Sequence, residues 1–198
     1  MTRTWFTRIA ILTATLLGYS CAASSAAERV RWQFHDREVE YFGQLLPVSS
    51  DQQQLLQTPD GVLWTINNDD LIRTSPVDES FEPLSTAELS ARLLEELPEG
   101  FEIYETAHYL ICYDTTKAYA QWCGSLFERL HMAFTNYWSR RGFDLHEPQF
   151  PLVAVVFADV NAYRDFARPE VGEAIDKIIG YYSLRTNRMT MYDLSGMS

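Results

Sequence analysis

Residues 151–158, Pro-Leu-Val-Ala-Val-Val-Phe-Ala, form an unbroken apolar run with no alternation, and this run limits the fold more than any other feature. A strand with no polar face must be covered on both sides, so it belongs inside a sheet layered by helices. Upstream, Tyr119, Trp122, Leu126, Leu130, Phe134 and Tyr137 recur at steps of three or four within residues 117–141. That periodicity predicts the longest helix, N-capped at Thr115 or Thr116 and ended by Gly142, with Arg140 and Arg141 at its negative end. At helical spacing the aromatic stripe reads as core and not as a ligand platform. Residues 109–113 before the helix read as extended. A strand, a long helix and a second strand predict a parallel pair joined by a right-handed crossover.

The flanking segments extend this pattern. Ser85-Thr86-Ala87-Glu88 has the form of a capping box, and Leu89, Leu93, Leu94 and Leu97 make one apolar stripe. They predict a helix over 86–97, stopped by Pro98. Residues 101–104 read as a strand, separated from 109–113 by a turn or bulge near Thr106 and Ala107. A short helix is expected over 161–167 with Tyr163 and Phe166 inward, and another turn or two over 171–179. Residues 180–185 and 188–193 flank Thr186-Asn187 as a closing hairpin with a two-residue turn. Ahead of all this, 39–42, 53–57 and 62–66 are short strand candidates, with Pro59-Asp60-Gly61 as a tight reversal. The polar turn at residues 67–70 lacks the spaced oxygen series of a calcium loop. The expected fold class is α+β. A small β-rich region spans 28–78, and a mixed sheet with a long crossover helix spans 84–198, divided near 78–83.

Of the 198 residues, 46% are apolar and 14% aromatic, enough to bury a core. The net charge of −11 argues against a general nucleic-acid binder. No apolar run is long enough to span a bilayer. In residues 1–27, Arg3 and Arg8 precede the apolar stretch 9–18, and Ser24, Ser25, Ala26 and Ala27 follow. This is the pattern of a signal peptide cleaved after Ala27, so the protein is expected to be exported to the periplasm, envelope or medium. Lipid anchoring at Cys21 is the weaker alternative, because Gly18 and Tyr19 stand where such sites carry Leu and a small residue. Cys112 lies in a strand and Cys123 in the following helix. Strand and covering layer lie about 10 Å apart, beyond the roughly 7 Å that a disulfide allows, so both are expected as buried thiols.

The search for chemistry gives no catalytic residue and no metal ligand. Four histidines are present: His35, His108, His131 and His146. His146-Glu147 begins like a zinc-peptidase motif, but the position four residues on is Phe150, and Pro148 would break the helix such a motif requires. His131 reads as an ordinary helix histidine and His108 as a satisfied structural one. No nucleophile elbow, phosphate loop or dinucleotide fingerprint occurs. Glu95-Glu96 and Asp69-Asp70 are adjacent carboxylates that point apart.

Several segments together carry a resemblance: Gly100-Phe101-Glu102-Ile103, His108-Tyr109-Leu110-Ile111, Leu126 to Leu130, Phe150 to Val153, and Gly180-Tyr181-Tyr182 followed by Thr186-Asn187-Arg188-Met189. They resemble an exported bacterial family called domain of unknown function 1570, over roughly residues 80–195. Its members resemble gluzincin-type zinc metallopeptidases, in which such a sheet precedes a helix bearing His-Glu-x-x-His. The sequence holds no such motif, so no zinc ligand carries over, and zinc is implied for full-length members only. The resemblance also implies that the strand bearing Arg188, Thr190 and Tyr192 could line a peptide-binding edge. The alternative is that the hairpin merely completes the sheet, with Met189 and Met191 as its core face. Three readings follow: a non-catalytic exported peptidase-like domain, an envelope binding or structural module, and a fragment of an active zinc metallopeptidase whose catalytic half is missing. Exposure of Tyr181, Leu184 and Met191 would predict self-association.

Overall fold

A computed structural model describes residues 26–48 and 51–195, so the expected signal peptide and Cys21 lie outside the described residues, apart from Ala26 and Ala27. The fold is α+β, with two five-stranded sheets. In the first sheet β1 (Ala26–Phe34), β2 (Arg37–Leu46), β3 (Gln53–Gln57), β4 (Leu63–Asn67) and β5 (Leu71–Ser80) pair in the order β4-β3-β2-β1-β5, all antiparallel. Its core is Val30, Trp32, Leu56 and Ile66, with Phe34, Tyr41 and Trp64 packed against them. Sequence patterning finds β2, β3 and β4 but misses β1 and β5. β1 alternates polar and apolar residues from Arg29 to Phe34, whereas β5 lacks a clean alternation and includes Pro76, which an edge strand tolerates. β5 also runs to Ser80, so the boundary expected at 78–83 narrows to the link at 81–85.

The second sheet is built from β6 (Glu102–Glu105), β7 (Tyr109–Tyr113), β8 (Leu152–Phe157), β9 (Gly180–Ser183) and β10 (Arg188–Tyr192), in the order β6-β7-β8-β10-β9. β8 is parallel to both β7 and β10, and the outer strands are antiparallel. The apolar run thus occupies the centre of the sheet, as its lack of a polar face requires. Helix α1 (Thr86–Glu96) is capped by Ser85 and Glu88 in the expected reciprocal box. With α3 (Val160–Val171) and a short 3₁₀ helix (Gly172–Lys177), it covers one sheet face over Leu110, Cys112, Val153, Val155 and Phe157. Helix α2 (Lys117–Ser139) covers the other, over Ile111, Tyr113, Ala154 and Val156. Of the pair expected inward on α3, Tyr163 is buried and Phe166 is exposed. The closing turn spans four residues rather than two, with Asn187 at φ 60.

α2 corrects the sequence reading most sharply. Its buried residues are Ala120, Cys123 and Gly124, a face of small side chains. Trp122, Leu130, Phe134 and Tyr137 of the stripe expected as core are at least half exposed. Two geometric causes combine. The small face lets helix and sheet approach closely: a Cβ on Gly124 would lie 2.8 Å from Thr106 Cγ2. In addition, a helix of 23 residues is about 34 Å long, whereas the five-residue β7 is about 17 Å, so the second half of α2 overhangs the sheet. Beyond Gly124 no residue of α2 is buried.

The two sheets are joined by specific contacts. The Leu63 N–H donates to the Arg185 carbonyl (2.7 Å) and the Leu84 N–H to the Pro59 carbonyl (2.8 Å). Buried Asp60 pairs with Arg92 Nε at 3.1 Å, Arg92 with Glu96 at 3.2 Å, and Glu96 with Arg188 at 2.6 Å. This chain of alternating charge runs from the first sheet through α1 to β10. Gly61, at φ 80, makes the tight reversal expected at Pro59-Asp60-Gly61 and packs beneath the Phe150 ring.

Candidate functional site

The strand expected to line a peptide edge is interior. β10 is paired on both sides, by β8 and β9, so its backbone groups are already engaged. Arg188, Thr190 and Tyr192 do share one face, but that face is core: they are 8%, 3% and 6% exposed. Arg188 is engaged by Glu96, and Tyr192 packs on Tyr163. The edges of this sheet are β6 and β9. The three residues therefore do not form a peptide-binding edge. Met189 and Met191 face the α2 side and stay only partly buried, since α2 does not extend over them fully.

A cluster that sequence reasoning passed over lies where α2 begins to overhang. The turn between β6 and β7 carries Thr106 and His108, and Glu128 of α2 reaches into it. The Glu128 carboxylate accepts from the Thr106 hydroxyl (2.6 Å), the His108 backbone N–H (2.8 Å) and His108 Nδ1 (2.7 Å). Burial by itself would raise the Glu128 carboxyl, but these hydrogen bonds outweigh it and hold its pKa down at about 2. His131, one helical turn further along α2, stacks on His108 with ring centroids 4.1 Å apart. After Gly142, at φ 85, the chain turns back, and Glu147 Oε2 comes to 3.6 Å from His108 Nε2. One ligand atom from each of His108, His131 and Glu147 lies within 4.8 Å of the other two.

The chain matches no family model and no curated protein.

The three residues come from a turn, a helix and an irregular loop, so no spacing in the sequence announces them. The nearest signal is Glu128 and His131 at i and i+3 on one helix face. Beside the cluster, α2 and the returning loop border an open cavity of about 400 Å³ lined by Tyr109, Leu130, Phe134, Leu145 and His146, among others. The overhang ends in an aromatic group: Trp138 meets Phe134, Tyr137 and Phe143 at 6.2, 5.2 and 5.0 Å, and the Arg141 guanidinium lies 3.4 Å from the centre of the Tyr137 ring. Cys112 and Cys123 are free and buried, on opposite faces of the sheet, and burial pushes their thiols up to about 12 and about 11. Among the described residues no helix is long and apolar enough to cross a membrane.

Proposed function

We propose that this chain is an exported, non-catalytic domain on a peptidase-like scaffold, and that it binds another polypeptide through the overhanging half of α2. One observation carries the reading. Leu130, Met132, Phe134 and Tyr137, followed by Phe143, are all at least half exposed along one projecting element. Scattered apolar residues on a surface need no explanation, but a run of large ones on one helix beside an apolar cavity marks an interaction surface. The aromatic contacts around Trp138 hold Phe134, Tyr137 and Phe143 in place, which lowers the ordering cost of binding. The resemblance to an exported peptidase-like family supports the scaffold and the destination, and the lack of His-Glu-x-x-His supports the absence of turnover.

The test places a photo-crosslinking residue at Phe134, and separately at exposed Arg73 on the first sheet, in the producing cell. A discrete polypeptide adduct is expected from position 134 and none from position 73. Adducts from neither position, or chelator-sensitive cleavage of an unstructured protein by the purified chain, would overturn the reading. A second reading, a zinc metallopeptidase whose catalytic half is supplied separately, is favoured by the partly uncovered Met189 and Met191, against which a further helix could pack.

A further inference from the structure

We propose that His108 Nε2, a ring nitrogen of His131 and the Glu147 carboxylate bind one divalent transition-metal ion, zinc foremost, with Glu128 as the carboxylate that orients His108. Glu128 accepts from the His108 backbone and from Nδ1, so the proton of a neutral His108 ring sits on Nδ1. Nε2 then stands 3.6 Å from a Glu147 oxygen. In that tautomer Nε2 and the carboxylate oxygen are both acceptors, and a cation between them would be held by both. His131 converges on the same point and gives the ion a third donor.

The donor set selects the class of ion. Two imidazole nitrogens and one carboxylate oxygen suit zinc and its neighbours, not calcium or magnesium, which take oxygen. In a tetrahedral site with bonds of about 2.0–2.1 Å, ligand atoms stand about 3.3 Å apart. The His108–Glu147 separation of 3.6 Å is already close to that. The widest pair, within 4.8 Å, closes by about 1.5 Å or less. Glu147, with a side chain 83% exposed on an irregular loop, is free to supply the movement. A carboxylate on the non-coordinating nitrogen of a ligand histidine fixes tautomer and ring orientation, and Glu128 stands in that position. Three protein donors leave a fourth place for water, at the mouth of a groove of about 290 Å³ between the β6–β7 turn and residues 147–151. The ion would tie the overhanging half of α2, the sheet and the returning loop to one point.

The experiment uses the untagged full chain, stripped with chelator and titrated with zinc by calorimetry and with cobalt by visible absorption. One equivalent of zinc is expected, with cobalt giving the intense bands of a four-coordinate site. His108→Ala, His131→Ala and Glu147→Gln should each weaken zinc binding by at least tenfold, and Glu128→Gln by about tenfold. His35→Ala, remote in the first sheet, should bind like the parent. If His108→Ala unfolds, as circular dichroism would show, His131→Ala decides, because its ring stack is not part of the turn's hydrogen bonding. No uptake by the parent chain, or parental affinity retained in His131→Ala, would overturn the site. Zinc uptake with peptide cleavage would overturn the non-catalytic reading and leave the metal site standing.

Discussion

Asp193 closes the second sheet from one residue beyond β10. Its backbone N–H donates to the Phe157 carbonyl (2.7 Å), and its carboxylate accepts from Ser195 and from the Thr115 hydroxyl ahead of α2. Burial would raise this carboxyl, but the hydrogen bonds from Ser195 and Thr115 prevail and lower it below the ordinary carboxylate value. A depressed folded-state pKa contributes stability that is present above the unfolded value near 4 and lost as pH falls through the folded one. Asp193→Asn should therefore cost about 1–2 kcal/mol at pH 7. In thermal melts at pH 7 and pH 3, the variant should lose less stability on acidification than the parent, and equal losses would refute the assignment. Cys112 and Cys123, with thiols pushed to about 12 and about 11, should resist a maleimide at pH 8 in the folded protein and react on denaturation. Peptide mapping of the labelled sites checks this, and rapid native labelling of either would mean that its covering helix opens readily.

At the scale of the element, the decisive quantity is the fit between α2 and its sheet. Gly124 sits where helix meets strand, and an alanine there would press on Thr106, whose hydroxyl is held by Glu128. Alanine normally gains up to about 1 kcal/mol over glycine inside a helix, but forcing a methyl into a packed interface costs about 1–3 kcal/mol. The net effect of Gly124→Ala should be destabilisation by about 1 kcal/mol, read as a lower midpoint in urea unfolding, and an unchanged or raised midpoint would show that the seat is looser. Ser85→Ala should likewise cost about 1 kcal/mol through loss of the α1 cap. These helices and the central strand were legible because capping and periodicity are local properties. The face that α2 presents was not, because apolar spacing identifies a stripe without saying which layer covers it. The clue lay in length, since a helix predicted over 25 residues beside strands of five to eight must project past them. β5 escaped notice because it lacks alternation and holds Pro76, whereas β1 does alternate from Arg29 to Phe34 and was legible in principle. His108, His131 and Glu147 escaped because their proximity is created by the chain's return after Gly142 and not by any spacing.

Over the whole molecule, the exposed half of α2 together with Tyr182 and Leu184 on the closing hairpin leaves apolar surface at two places. Sedimentation of the purified chain should show reversible, concentration-dependent association, abolished in Leu130→Glu with Phe134→Glu. A parent that stays monomeric at high concentration would show that these surfaces are too small or too far apart to associate unaided. The hydrogen bond from Leu63 to Arg185, and the charge chain ending at Arg188, join the first sheet to the β9–β10 hairpin far along the sequence. The first sheet can pair its own strands and meets Leu84 and Arg92 nearby in the chain, but its seat on the second sheet is complete only once the β9–β10 hairpin is in place. Contacts of such long sequence separation slow folding. The two sheets therefore lock together late in folding, after each has paired its own strands.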